Sequence, residues 1–250
     1  MRNDTIYQNQ TTHSFLTAMS RVVVAIPSYN TQNTIANVIT NAKKYVGEVI
    51  VIDDGSSDLT GKIAIAKGAI VIRHEVNKGY GETIKSCFKA ALDKKADILI
   101  TIDGDGQHDP NDIPLIINPM IKEGVDLVIG SRSLVEWREV PRYRRFGINI
   151  INYLWNFGSP VKVSDTQSGF RAYSRKAMEC LNLSETGMSI SIEILEEIRR
   201  KKLAIREVPI TCSYKNNNSS ISINAFLHGL EVSMSVLRIR CKYEFFNKIN

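Results

Sequence analysis

Ile98-Leu-Ile-Thr-Ile-Asp-Gly-Asp-Gly-Gln107 is a β-rich run that stops abruptly at two carboxylates separated by one glycine. An almost unbroken apolar run of this length, without polar alternation, suits a strand buried on both faces of a parallel sheet. The same pattern recurs at Val22-Val-Val-Ala-Ile26, Val49-Ile-Val-Ile52, Ala69-Ile-Val-Ile72 and Leu127-Val-Ile129. Helical patterns separate these runs, at about Thr34–Tyr45, Thr60–Lys67, Gly81–Lys94 and Asp112–Lys122. The order βαβαβαβαβ predicts an α/β fold, a doubly wound and mostly parallel sheet flanked by helices, with right-handed crossovers.

In such a sheet, ligands bind beyond the carboxyl ends of the strands. The polar segments fall there: Pro27-Ser-Tyr-Asn30, Asp53-Asp-Gly-Ser-Ser-Asp58, Asp103-Gly-Asp-Gly-Gln107 and Gly130-Ser-Arg132. Asp103 and Asp105 crowd two like charges at the end of a buried strand, which a divalent cation would neutralise. Oxygen ligands of this kind suit Mg2+ or Mn2+, which complete their shells with phosphate oxygens. A calcium loop of the EF-hand type is excluded, because its glycine and glutamate positions hold His108 and Pro114. The Asp53–Asp58 segment offers carboxylates to ribose hydroxyls or base N–H groups, and Ser57 or Asp58 to cap the following helix. Two other nucleotide signatures fail: Gly79-Tyr-Gly81 has Ile84 where a third glycine belongs, and Gly55 to Gly61-Lys62 has one residue too many for a phosphate loop.

The chain has 250 residues, is 43% hydrophobic and 23% charged, and carries a net charge of +6. That composition suits a globular protein with a sizeable core and excludes disorder, collagen and coiled coil. Charge is unevenly shared. Residues 1–131 hold 13 Lys and Arg against 15 Asp and Glu, and residues 132–250 hold 19 against 11. An acidic half beside a basic half suits a metal cation in one and phosphates or a membrane surface in the other. Four scattered cysteines with no CxxC pair fit a reducing compartment. The first twenty residues lack the apolar core of a signal peptide, and no run is long enough to span a bilayer.

Beyond residue 133 the alternation breaks down. Glu136–Phe157 mixes arginines with aromatics, which suits either lipid headgroups or a packing helix with a charged outer face. Ile223, Leu227, Leu230, Met234, Leu237 and Cys241 recur at helical spacing and predict a C-terminal amphipathic helix. The expected organisation is a polar tail over 1–20, a catalytic domain over 21–215, and a polar loop with that helix over 216–250.

Val24-Ala-Ile-Pro-Ser-Tyr-Asn30, Val51-Ile-Asp-Asp-Gly-Ser-Ser-Asp58, Asn77-Lys-Gly-Tyr-Gly81, Ile102-Asp-Gly-Asp-Gly-Gln-His-Asp-Pro110, Gly130-Ser-Arg132 and Asp165-Thr-Gln-Ser-Gly-Phe-Arg171 together resemble family 2 glycosyltransferases. The resemblance spans about residues 20–215 and is strongest to the dolichyl-phosphate mannose and glucose synthases. It implies a GT-A fold and inverting transfer from a UDP- or GDP-sugar to a dolichyl or other polyprenyl phosphate. Pro27, Tyr29, Asn30, Asp53, Asp54, Lys78, Asp103 and Gly104 then correspond to nucleotide-sugar positions. Asp103, Asp105 and Gln107 correspond to the ligands of Mg2+ or Mn2+. Arg132, Arg142 and Arg145 match basic positions that contact the acceptor phosphate, and Lys215 supplies charge where relatives often carry an arginine. Asp105, Arg132, Asp165, Gln167 and Glu193 match the family's catalytic positions, with Asp165 and Gln167 in a loop below the sugar and Glu193 near the donor.

A phosphate acceptor needs no strong general base, since its second pKa is about 6. A sugar-hydroxyl acceptor would instead need Asp165 or Glu193 as base. Peripheral attachment to the cytoplasmic face of a membrane is expected, and nucleic-acid binding is not, because the positive charge is interleaved with acids and no recognition motif is present.

Overall fold

The structure is a computed structural model that describes residues 21–134, 142–213 and 233–239. Seven strands form one sheet: β1 (Val22–Ser28), β2 (Glu48–Asp53), β3 (Ile70–Arg73), β4 (Ile98–Thr101), β5 (Leu127–Ser131), β6 (Arg171–Ser174) and β7 (Ile205–Pro209). Their spatial order is β3-β2-β1-β4-β6-β5-β7. Neighbours run parallel except β6, which is antiparallel to β4 and β5. The five strands expected from the apolar runs are all present. β6 and β7 are additions, and β6 separates two strands that a simple parallel succession would pair.

Every residue of β1, β4 and β5 is buried, as continuous apolar runs require when both faces are covered. Helices α1 (Ile35–Ala42), α2 (Thr60–Ala66) and α4 (Ile113–Glu123) cover one face. Helices α3 (Tyr80–Asp93), α5 (Arg142–Asn156), α6 (Arg175–Cys180) and α7 (Ile190–Arg200) cover the other, where Ile151, Trp155, Ile194 and Leu195 share one core with Val236 and Ile239. Residues 233–239 are helical, but Val236 and Ile239 are the buried ones, while Met234 and Leu237, on the expected apolar face, are exposed. The rest of that helix, the polar tail and Lys215 lie outside the described residues. No helix among the described residues is long and apolar enough to cross a membrane.

Alternation along the strands sorts the side chains between two cores. Val23 and Ala25 pack with α3 and α7, while Val22, Val24 and Ile26 pack with α1 and α4. This leaves only the strand ends to present polar groups, and the carboxyl ends of β1, β2, β4 and β5 meet on one rim.

Candidate active site

Backbone bonds between the strand ends assemble the rim. The Asp54 amide donates to the Ser28 carbonyl at 2.9 Å and the Gly104 amide to the Pro27 carbonyl at 3.2 Å. Thr34 Oγ1 donates to the Gly104 carbonyl at 2.6 Å, which fixes the acidic turn after β4. Pro27 and Gly104 are buried within this lattice, and Tyr29 stands half exposed above it. Asn30 adopts φ 52°, and its Oδ1 accepts from the Ser57 amide, tying the β1 loop to the β2 loop.

The two aspartates after β2 point different ways. Asp53 is fully buried, and its carboxylate takes Arg73 Nη1 and, at 2.9 Å, the Ser56 amide. It braces the loop from beneath and presents no surface to a nucleotide. Asp54 takes His74 Nδ1 at 2.6 Å and the Lys78 amide at 2.9 Å on Oδ1, with the Gly79 amide at 2.9 Å on Oδ2. Lys78 therefore enters the site through its backbone, and its residue is exposed. Gly55 is required here: its φ is +71°, and a Cβ would lie 2.7 Å from the Val76 carbonyl carbon.

Asp103 lies beyond β4 with its side chain 27% exposed. Tyr80, the first residue of α3, donates to Asp103 Oδ1 at 3.2 Å. Burial and the neighbouring Asp105 carboxylate push Asp103 up to about 7, against the pull of Tyr80, Arg132 and Arg171. Asp105 is exposed and accepts the Gln107 amide at 2.9 Å, and the Gln107 carbonyl accepts from the Ser213 amide. His108 is buried beneath, its Nε2 3.9 Å from Asp103 Oδ2. Burial and Arg132 push this histidine down to about 3, so it is a neutral imidazole. Gly169 closes the floor, because a Cβ there would fall 2.1 Å from Asp103 Oδ2.

Asp103, Asp105 and Gln107 fit a hard divalent cation by donor chemistry, two carboxylates and an amide, and by the charge crowding that raises Asp103. Among the described residues, no group of three His, Cys, Asp or Glu side chains stands ready as a metal cluster. The amide of Gln107 and the ligand's own oxygens would have to complete the shell.

Arg132 and Asp165 are turned toward each other. Arg132 Nε and Nη2 reach the two carboxylate oxygens at 2.7 and 2.8 Å, and the Arg132 amide adds a third bond at 3.1 Å. Burial pushes Asp165 up, and the charge and hydrogen bonds of Arg132 more than reverse this, leaving it below the ordinary carboxylate value. Gln167 follows in the same loop, with Nε2 donating to the Thr166 carbonyl at 3.3 Å. Glu193 is buried on α7 and accepts the Ser184 amide, the Ser184 hydroxyl and the Glu185 amide. The adjoining Thr186 carbonyl takes the Gly81 amide at 2.8 Å, so Glu193 bears on the start of α3 rather than on the rim.

Several supporting groups carry no signal in the sequence. On α5, Asn152 accepts the Thr166 amide and hydroxyl and donates to the Ser164 carbonyl, while Asn156 pairs with both backbone groups of Val163. Glu207 on β7 receives the Ser164 and Asp165 amides. Arg171 is buried and clamps the Thr166 and Ser191 carbonyls. The spacing of Asn152 and Asn156, one turn apart, is the one pattern that could have marked a polar inner face.

Helix α5 has a third side. Phe146, Ile150, Tyr153 and Phe157 recur at steps of four, three and four and are between 39% and 68% exposed. Arg145 is partly exposed on the same helix, and Arg142 opens it.

Residues 23–181 match the family described as glycosyl transferase family 2. An uncharacterised protein of Methanocaldococcus jannaschii is 36% identical over 211 residues, covering 81% of this chain and 86% of its own. The UDP-N-acetylglucosamine–dolichyl-phosphate N-acetylglucosaminyltransferase of Methanococcus voltae is 30% identical over 241 residues, covering 88% and 96%. Among solved structures, glucosyl-3-phosphoglycerate synthase of Mycobacterium tuberculosis, crystallised with Mn2+, UDP-glucose and phosphoglyceric acid, superposes with a TM-score of 0.72 at 23% identity, covering 91% of this chain and 82% of that one. The likeness of fold, the acidic turn after the fourth strand and the extent of the match agree: this chain belongs to glycosyl transferase family 2.

Proposed function

We propose that the chain is an inverting, metal-dependent glycosyltransferase that moves a hexose or N-acetylhexosamine from a UDP- or GDP-sugar onto dolichyl or another polyprenyl phosphate. The Methanococcus voltae relative, whose name states dolichyl phosphate as its acceptor, supports the substrate class. The observation that carries the reading is the state of the acids. Asp165 is bonded along its whole edge to Arg132, and Glu193 is filled by the amides of residues 184–185. Neither is poised to take a proton from a sugar hydroxyl, and neutral His108 is sealed in the core. A phosphate acceptor needs no such base, because it is already a dianionic nucleophile near neutral pH.

In this reading Asp54 faces the base of the donor, with Tyr29 and Asn30 beside it. Asp103, Asp105 and Gln107 are the residues that would hold Mg2+ or Mn2+, and the bound ion supplies positive charge against the departing nucleoside diphosphate. Tyr80 orients the Asp103 carboxylate. Arg132, held in one orientation by Asp165, works with Arg142 and Arg145 to bring the acceptor phosphate in line with the anomeric carbon. Gln167, on the loop fixed by Asn152 and Glu207, lines the sugar.

The exposed ridge of α5 gives the enzyme a way to reach a lipid. Three aromatics and an isoleucine on one side, with arginines on the same helix, suit the boundary between headgroups and acyl chains. Cys87, Cys180 and Cys212 are free thiols, which fits the cytoplasmic face of the membrane.

Labelled UDP- and GDP-sugars incubated with the protein, polyprenyl phosphate vesicles and Mg2+ or Mn2+ test the reading. Label should enter the organic phase, stop with EDTA, and fall when Tyr153 and Phe157 are both changed to serine. Consumption of donor with all label left in water would overturn the acceptor.

A further inference from the structure

Asp54 holds more hydrogen bonds than a base-reading carboxylate needs, and their distribution is uneven. A carboxylate has about four lone-pair sites, two on each oxygen. Oδ1 has both filled, by His74 Nδ1 at 2.6 Å and the Lys78 amide at 2.9 Å. Oδ2 takes only the Gly79 amide at 2.9 Å. The Asp54 side chain keeps 5% of its surface exposed. His74 is itself held, since its Nε2 lies 2.9 Å from Ser86 Oγ on α3. With Nδ1–H donating to Asp54 and Nε2 accepting from the serine, one neutral tautomer satisfies both contacts.

One remaining lone pair matches one donor. Uracil presents a single imide N–H between two carbonyls. Guanine presents two adjacent donors, the ring N–H and the exocyclic amino group, which together call for both oxygens of a carboxylate. Adenine and cytosine set an unprotonated ring nitrogen beside their amino group, against the carboxylate charge. We propose that His74 is a specificity-determining residue that, by filling Asp54 Oδ1, restricts the donor site to uridine diphosphate sugars. It acts through Asp54 and is a positioning residue. The inference rests on the reading that Asp54 faces the donor base.

Calorimetric titration of the full chain with UDP and with GDP, each with Mg2+, tests it. UDP should bind at least about tenfold more tightly, because one guanine donor is left facing a filled oxygen. His74→Leu frees a lone pair on Oδ1 and should narrow the ratio to about threefold or less. His74→Asn places an amide donor near the Nδ1 position and should restore the preference, which a merely structural histidine would not do. Should His74→Leu fail to fold, as its circular dichroism would reveal, His74→Phe makes the same comparison, and a wild-type ratio kept by a folded variant of either kind would overturn the role of His74. Equal affinities, or a preference for GDP, with binding that Asp54→Ala abolishes, would overturn the role of His74 and leave the site reading intact. Nucleotide binding indifferent to Asp54→Ala would overturn both.

Discussion

The two halves of the rim are held by different means. Around β1, β2 and β4 the polar residues sit where strands end, and backbone bonds between neighbouring strand ends set their places, with the Thr34, Asn30 and Asp53 side chains bracing the turns between them. Around β5, β6 and β7, loop 163–169 hangs from side chains: two asparagines of α5, Glu207 of β7 and the buried Arg171. The first arrangement follows from the sheet itself. The second depends on individual amides and carboxylates whose loss leaves buried backbone groups without partners. Rigidity in the half around β1, β2 and β4 is thus largely a property of topology, and in the half around β5, β6 and β7 a property of a few residues.

The contrast is sharpest at Asp103, whose position the sheet enforces at an energetic cost. Asp103→Ala should lower turnover by about a thousandfold or more, roughly 4 kcal/mol of transition-state stabilisation, measured as sugar transfer at saturating donor. Stability should move the opposite way. Asp103 binds its proton more tightly in the folded chain, so its ionisation removes stability as pH rises from its ordinary 3.8 toward about 7. Thermal melts without metal should show this decline, Asp103→Asn should flatten it, and Mg2+ or Mn2+ should offset it. A melting temperature that falls in the asparagine variant at pH 7 would break the claim that Asp103 is strained by its surroundings.

A smaller effect probes the half around β5, β6 and β7. Asn152→Ala removes the partners of the buried Thr166 amide and of the Ser164 carbonyl, and should destabilise the fold by about 2 kcal/mol in urea unfolding. Ser28→Ala, at the end of β1, removes only a long 3.4 Å bond to the Ile26 carbonyl and should cost about 0.5 kcal/mol or less. Equal losses at the two sites would erase the distinction between the halves.

The same difference explains what could be read from the chain alone. β1, β2, β4 and β5 were legible because continuous apolar runs have few other uses, and the common place of Asp103, Asp105 and Gln107 beyond β4 was legible because neighbours in sequence are neighbours at a strand end. β6 was not, since its four residues begin with Arg171 and its insertion between β4 and β5 is a long-range pairing that no local pattern encodes. β7 carries charges and ends at Pro209, as befits an edge strand. Asp53 and Asp54 look alike in sequence and differ because one is held by Arg73 and the Ser56 amide and the other by His74 and the Lys78 and Gly79 amides. The α5 stretch admitted a packing or a lipid-facing reading, and the helix has a buried side with Trp155 and an exposed side with Tyr153. His74, Glu207 and Tyr80 gain their roles only from what the fold brings beside them.

The smallest expected effect tests whether the rim at Asp103 depends on a distant segment. Arg238, in the helical segment 233–239, pairs with both oxygens of Glu185 at 2.8 Å, and Glu185 also receives the Ser189 hydroxyl. The adjoining Thr186 carbonyl holds Gly81, next to the Tyr80 that meets Asp103. A path of bonds therefore runs from the C-terminal segment to the acid beyond β4. Its first link is weak, because Arg238 is 64% exposed and such a pair contributes about 0.5 kcal/mol. Arg238→Gln should lower the melting temperature by about 2 °C or less and raise the KM for donor no more than about threefold. A loss of turnover as large as that of Asp103→Ala would mean that the C-terminal segment governs the rim at Asp103, and the sheet alone would no longer account for the place of that acid.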